Sequence, residues 1–131
     1  MMLVRSAVLA MIFSTSALAQ AQPGFSQLTA CRVDTERVLL NAFFDGGACQ
    51  AVEPVDIGER AGTTLAVAIP TSSTAEVCTM QIVPVETMQV LEVPRAVTSL
   101  DVSALDPHGN QIAHGITEVD EAGPACMATK G

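Results

Sequence analysis

Residues 79–94 read TMQIVPVETMQVLEVP, and the chain there says nearly the same thing twice. Thr79-Met80-Gln81-Ile82-Val83 returns as Thr87-Met88-Gln89-Val90-Leu91, and a proline closes each copy, Pro84 and Pro94. Apolar and polar residues alternate with the period of a half-buried strand. Proline sits at strand ends or on sheet edges. Two similar strands are therefore expected.

The surrounding chain extends the pattern. Turn residues punctuate short runs rich in Val, Ile and Thr: Gly58–Gly62 before Thr63–Ile69, Pro70–Ser73 before Ala75–Val85, Pro94-Arg95 before Val97–Leu105, and Asp106–Asn110 before Gln111–Val119. In Thr63–Ile69, Leu65, Val67 and Ile69 share one face while Ala66 and Ala68 share the other. Leu100, Val102 and Ala104 alternate with Asp101 and Ser103. Asp106-Pro107-His108-Gly109 suits a type I turn, with Asp first, Pro second and Gly fourth. Such spacing predicts an all-β chain, a single immunoglobulin-like antiparallel β-sandwich. Residues 35–44 read either as strand or as a short N-terminal helix capped by Asp34 and stopped by Gly46-Gly47.

Residues 1–19 read as a cleavable secretory signal peptide: Arg5, the apolar run Ala7–Phe13, then the small-x-small site Ala17-Leu18-Ala19. An overlapping site, Ala19-Gln20-Ala21, places the alternative cut after residue 21. Residues 20–131 then form one domain in the periplasm or outside the cell, without membrane insertion. Loss of Arg5 leaves 14 acidic residues against 6 − 1 = 5 basic ones, a formal charge of 5 − 14 = −9. Such a surface repels nucleic acid and anionic lipid. The chain has no Trp and no Tyr, which removes the usual platforms for sugars and single-stranded bases.

Four cysteines in an exported chain of this size predict two disulfides. No Cys-x-x-Cys occurs, so neither a thioredoxin-like nor a zinc-knuckle motif is present. A rigid segment between Cys31 and Cys49 would hold their sulfurs about 15 Å or more apart. The favoured pairing is Cys31–Cys126 with Cys49–Cys78.

Candidate chemistry is sparse. Met80 and Met88, with His108 and His114, form the one soft-metal candidate, suited to Cu(I). In a single straight strand the two methionines would lie about 26 Å apart. Only a hairpin with an odd loop centred on Pro84 would set them opposite each other, about 5 Å apart at Cβ. No serine (Ser72, Ser73, Ser99, Ser103) lies in a nucleophile motif, and Glu118, Asp120 and Glu121 match no calcium loop. No cofactor and no catalysis are expected. The sequence points to a non-catalytic accessory module presenting an acidic β-sandwich to another exported protein. The alternatives are a copper-handling protein using the Met and His residues, and an inhibitor of a secreted enzyme acting through Pro70–Thr74.

Overall fold

The computed structural model describes residues 24–121. Nine strands and no helix occur among the described residues: β1 (Gln27–Arg32), β2 (Arg37–Gly47), β3 (Gln50–Val52), β4 (Asp56–Ala61), β5 (Thr64–Ile69), β6 (Thr71–Ser73), β7 (Ile82–Glu92), β8 (Ser99–Leu105) and β9 (Gln111–Asp120). Seven of them make one curled sheet in the order β4-β5-β8-β9-β1-β2-β7, and β3 pairs with β6 beside it.

Period-two alternation builds the core. Val38, Leu40, Ala42 and Phe44 of β2 point inward with Leu65, Val67 and Ile69 of β5 and Leu100, Val102 and Ala104 of β8. Val93 and Val97, in the β7–β8 connection, are buried with them. The strand β9 joins the two halves of the sheet. It pairs antiparallel with β8 from Gln111 to Glu118, then parallel with β1 through Val119 and Asp120. Gly115 faces inward at this crossing. A Cβ there would lie 3.0 Å from Leu28 Cδ2 and 3.2 Å from the Phe25 ring.

Turn chemistry follows the residues. Gly62, at φ +62°, is the first of two loop residues between the paired Ala61 and Thr64, the position a type II′ turn reserves for glycine. Gly109 N donates to Asp106 O at 2.9 Å, closing the expected turn, and Asp106 Oδ1 accepts from the main chain of His108 and Asn110.

At one end of the core the cation Arg32 is only 3% exposed. Its guanidinium donates to the carbonyls of Asp34, Thr35, Val93, Pro94 and Val97. A planar fork of donors can serve several carbonyls at once, which a lysine ammonium could not do with the same geometry. The arginine thereby fastens the β1–β2 turn to the segment that follows β7.

Several expectations need correction. The sheet is not wholly antiparallel, because β5 pairs parallel with β8 and β1 with β9. Residues 35–44 hold no helix, since β2 covers Arg37–Gly47. Pro70–Ser73 was expected as a turn, yet Thr71–Ser73 is a strand bonded to β3. The segment 74–81 holds no strand, so Ala75–Val85 is extended only from Ile82 onward. The repeat is consequently one strand and not two. β2 offers an eleven-residue partner running from Gly47↔Ile82 to Arg37↔Glu92, and Pro84 lies inside that ladder without ending it. Of the two expected disulfides, Cys49–Cys78 is present with its Cα atoms 5.9 Å apart. The second, Cys31–Cys126, involves a residue outside those described, as does the signal peptide at 1–19. No described cysteine is free.

Candidate functional site

The edge strand β7 and the end of the molecule where it begins carry the most exposed apolar surface. Its register is set by two bonds beyond the strand itself. Val93 N donates to Glu36 O at 2.8 Å, and Ala48 N donates to Gln81 O at 3.1 Å. Antiparallel strands alternate between bonded and non-bonded pairs. The odd-numbered residues from Val83 to Leu91 therefore spend their main-chain groups on β2. The even-numbered residues Ile82, Pro84, Glu86, Met88, Val90 and Glu92 turn theirs toward the outer edge, where no described strand pairs with them. Pro84 thus lacks an N–H only where none was needed for the ladder.

The same even-numbered residues put their side chains on the outer face. Ile82 is 76% exposed, Met88 47% and Val90 55%. Val85, Thr87, Gln89 and Leu91 point the other way. Gln89 reaches across the gap toward β4, accepting from Val55 N at 2.8 Å and donating to Glu53 O at 3.2 Å. A cleft of 630 Å³ lined by Ile57, Arg60, Glu36 and Glu92 separates β4 from the end of β7. Beside it Asp34 accepts from Arg37 Nε at 2.6 Å, and this hydrogen bond holds the Asp34 carboxyl below its ordinary value.

Where β7 begins, a groove of 790 Å³ runs along the Cys49–Cys78 disulfide. Ala48, Met80, Ile82 and Ile112 supply most of its apolar wall, and Asp45 is its one charged residue among those described. Gly46 packs closely: a Cβ there would sit 2.8 Å from a Val85 methyl and 2.5 Å from Gln50 Oε1, so both side chains would have to shift. Gln50 Oε1 in turn accepts the Gly47 N–H.

A second groove of 360 Å³ lies on the outer face of β4, β5, β8 and β9. Ala66 and Ala68 are its floor, which explains their small size. His114 and Asp101 meet there at 2.5 Å through Nε2 and Oδ1. Ser103 stands opposite His114 in the ladder but shares its hydrogen bond with Gln111 Oε1 at 3.1 Å.

The four candidate metal ligands occupy separate places. Met80 precedes β7 in the loop, while Met88 lies six residues beyond the strand's first residue, roughly 20 Å along it. His114 is on β9, three strands from β7 in the sheet order. His108 sits in the β8–β9 turn beside Thr74 and Glu76. Among the described residues no cluster of three or more His, Cys, Asp or Glu side chains is placed to hold a metal ion. The serines are engaged elsewhere: Ser72 with Glu53, Ser73 with Ala75 O, Ser99 with Thr64. Pro70–Thr74, the candidate inhibitory loop, is tied down, with Thr71 Oγ1 donating to Leu105 O at 2.7 Å and Thr74 N to Cys49 O at 2.8 Å.

The edge parity and the disulfide groove escaped the sequence. Alternation in 82–92 was visible, but which side of the strand lacks a neighbour depends on the order of the whole sheet. The Cys49–Cys78 disulfide is consistent with a non-cytoplasmic location, and among the described residues no helix is long and apolar enough to cross a membrane. The chain matches no family model, no curated protein and no solved structure in the comparisons made with each.

Proposed function

We propose that this is an exported, non-catalytic binding module that presents an acidic β-sandwich to a protein partner in the periplasm or outside the cell. One observation carries the proposal: β7 is a long, regular edge strand whose outer face exposes Ile82, Met88 and Val90. Pro84, Glu86 and Glu92 blunt only part of this edge, and long apolar stretches of unpaired strand invite pairing with another chain. The apolar groove at Cys49–Cys78 adjoins the start of the same strand and enlarges the surface. A formal charge of −8 for the whole chain supports a partner that is neither nucleic acid nor anionic lipid.

Export rests on the signal-like residues 1–19 and agrees with the disulfide. A second bridge, Cys31–Cys126, would tie β1 to the residues that follow β9. The inward apolar faces and the parallel β1–β9 pair support an immunoglobulin-like fold, while the parallel β5–β8 pair departs from its antiparallel form.

Cross-linked capture from the native compartment tests the function. The parent protein should retain a discrete protein that the variant Met88→Lys/Val90→Lys loses while remaining folded. Equal capture by both proteins would remove β7 from the function.

A further inference from the structure

We propose that β7 accepts an additional strand along Glu86–Glu92, and that this strand is an extended basic segment of the partner protein. The proposal rests on the protein-binding function above and specifies its geometry and chemistry.

The main chain comes first. Glu86, Met88, Val90 and Glu92 turn four N–H groups and four carbonyls toward the open edge, by the parity that the Val93–Glu36 and Ala48–Gln81 bonds establish. Pro84 interrupts the donor row just before Glu86. The continuous template is therefore the seven residues Glu86–Glu92, about 23 Å of strand. Main-chain ladders of this kind supply affinity in β-augmentation, and alternate side chains supply the selectivity.

Side chains then identify the occupant. On the outer face the order is Glu86, Met88, Val90, Glu92: acid, apolar, apolar, acid. Directly opposed cross-strand positions favour opposite charges and apolar pairs. The matching segment has Lys or Arg opposite both glutamates and β-branched residues opposite Met88 and Val90. The flanking surface is mostly acidic, with Glu36, Glu53, Asp56 and Glu59 against Arg60 and against Arg37, which lies opposite Glu92 in the β2 ladder. A second copy of this chain is a poorer occupant, since it would bring together two chains of formal charge −8.

The other edge of the sheet does not offer such a template. The strand β4 shifts register between Ile57 and Arg60. Gly58 there lies against Ala66, whose carbonyl oxygen would be 3.0 Å from an added Cβ.

The test uses the full chain and two peptides, acetyl-Lys-Thr-Val-Thr-Val-Thr-Lys-amide and its counterpart with Glu for each Lys. Met88→Pro removes one edge-facing N–H and spares the β2 ladder, as Pro84 already does. Parent protein should bind the basic peptide, with amide shifts concentrated on 86–92. Met88→Pro should bind it roughly tenfold more weakly, as expected for about one lost hydrogen bond. Glu86→Lys/Glu92→Lys keeps every edge donor and should reverse the preference between peptides, so the outcome does not depend on the proline variant alone. Equal binding of both peptides, undiminished binding by a folded Met88→Pro, or no binding of either peptide would overturn the proposal. Shifts confined to the Cys49–Cys78 groove would also overturn it while leaving a protein-binding function in place. Dimerisation of the parent through 86–92, seen by sedimentation and uncompeted by the basic peptide, would replace the basic segment with a second copy.

Discussion

The sheet has two lateral edges, and they are built on opposite lines. The strand β4 is six residues long, exposed throughout, and carries Asp56, Glu59 and Arg60. A register shift and Gly58 break its ladder. The strand β7 is eleven residues long with unbroken register, and its outer face mixes Ile82, Met88 and Val90 with two glutamates and one proline. Short length, charge and bulges are the devices by which edges avoid other strands. One edge is protected along its whole length, while on the other Pro84, Glu86 and Glu92 leave an apolar centre at Met88 and Val90 open. The difference is one of length and regularity: β7 keeps an unbroken ladder where β4 does not. Both edges border the same gap, yet only β4 carries the full set of defences.

The comparison breaks most readily if the anchors of β7 are cut. Replacing Cys49 and Cys78 by alanine releases a loop whose ends are 29 residues apart in sequence and frees the chain leading into the strand. The expected loss is about 3–4 kcal/mol in the chain-entropy account, measured by urea unfolding. Amide exchange should quicken first at Ile82–Val85, and uniform acceleration would contradict the disulfide's local role.

Arg32 holds the other end of the strand through Val93 O and Pro94 O, each at 3.1 Å. Arg32→Met keeps the stem but abandons five buried or part-buried carbonyls. It should cost about 3 kcal/mol by the same measurement, since a bond to a charged donor contributes about 1.5–3 kcal/mol and water will recover part of the loss. An unchanged midpoint would mean that the buried cation does not hold the turn.

Lysine scanning sharpens the contrast between edges. Met88→Lys/Val90→Lys on β7 should change stability by no more than about 0.5 kcal/mol, as exposed substitutions do, and should delay heat-induced aggregation. Ile57→Lys on the already protected β4 should leave the aggregation onset where it was. Light scattering during a thermal ramp reads both. Equal protection from the two edges would erase the distinction.

The smallest effect concerns acid. The Asp34 carboxyl, exposed beside the end of β7, is held below the ordinary value of 3.8 chiefly by the Arg37 hydrogen bond. A depressed folded-state value gives stability that is present above the unfolded value and is lost as pH falls through the folded one. Asp34→Ala should therefore be slightly less stable than parent at neutral pH, and the two curves should converge below about pH 4. Curves that stay parallel through the acid range, with no convergence as pH falls, would assign the effect to backbone capping of Glu36 and not to charge.

Much of the fold was legible where alternation and turn residues agree. Thr64–Ile69, Ser99–Leu105 and Gln111–Asp120 fall within a residue or two of the runs read from sequence, and Asp106–Gly109 makes its turn. The ambiguous segment was β2, and its burial explains why. Leu39 and Phe43 are half-buried on the outer face and Asn41 is buried there, so the polar half of the alternation is missing. The Oδ1 of Asn41 has no hydrogen-bond partner, an unusual cost on a sheet face. Pro84 misled for another reason. Proline marks the end of a strand only if the missing donor faces a neighbour, and that depends on parity with β2. The candidate ligands Met80, Met88, His108 and His114 were close in composition but not in topology, which no spacing along the chain could reveal.

The pairing of Ala30 with Val119 sets an order of events. The strand β1 waits for β9, far along the chain, before its second side is covered, and β5 likewise waits for β8. Parallel and sequence-distant pairings delay folding because the intervening chain must be ordered before they are rewarded. Until then β1 and β8 each present a bare flank, and among the described strands only β9 borders both. Among the described strands β9 alone borders both halves, so a product that stops before Gln111 would hold two half-sheets with no described strand to join them.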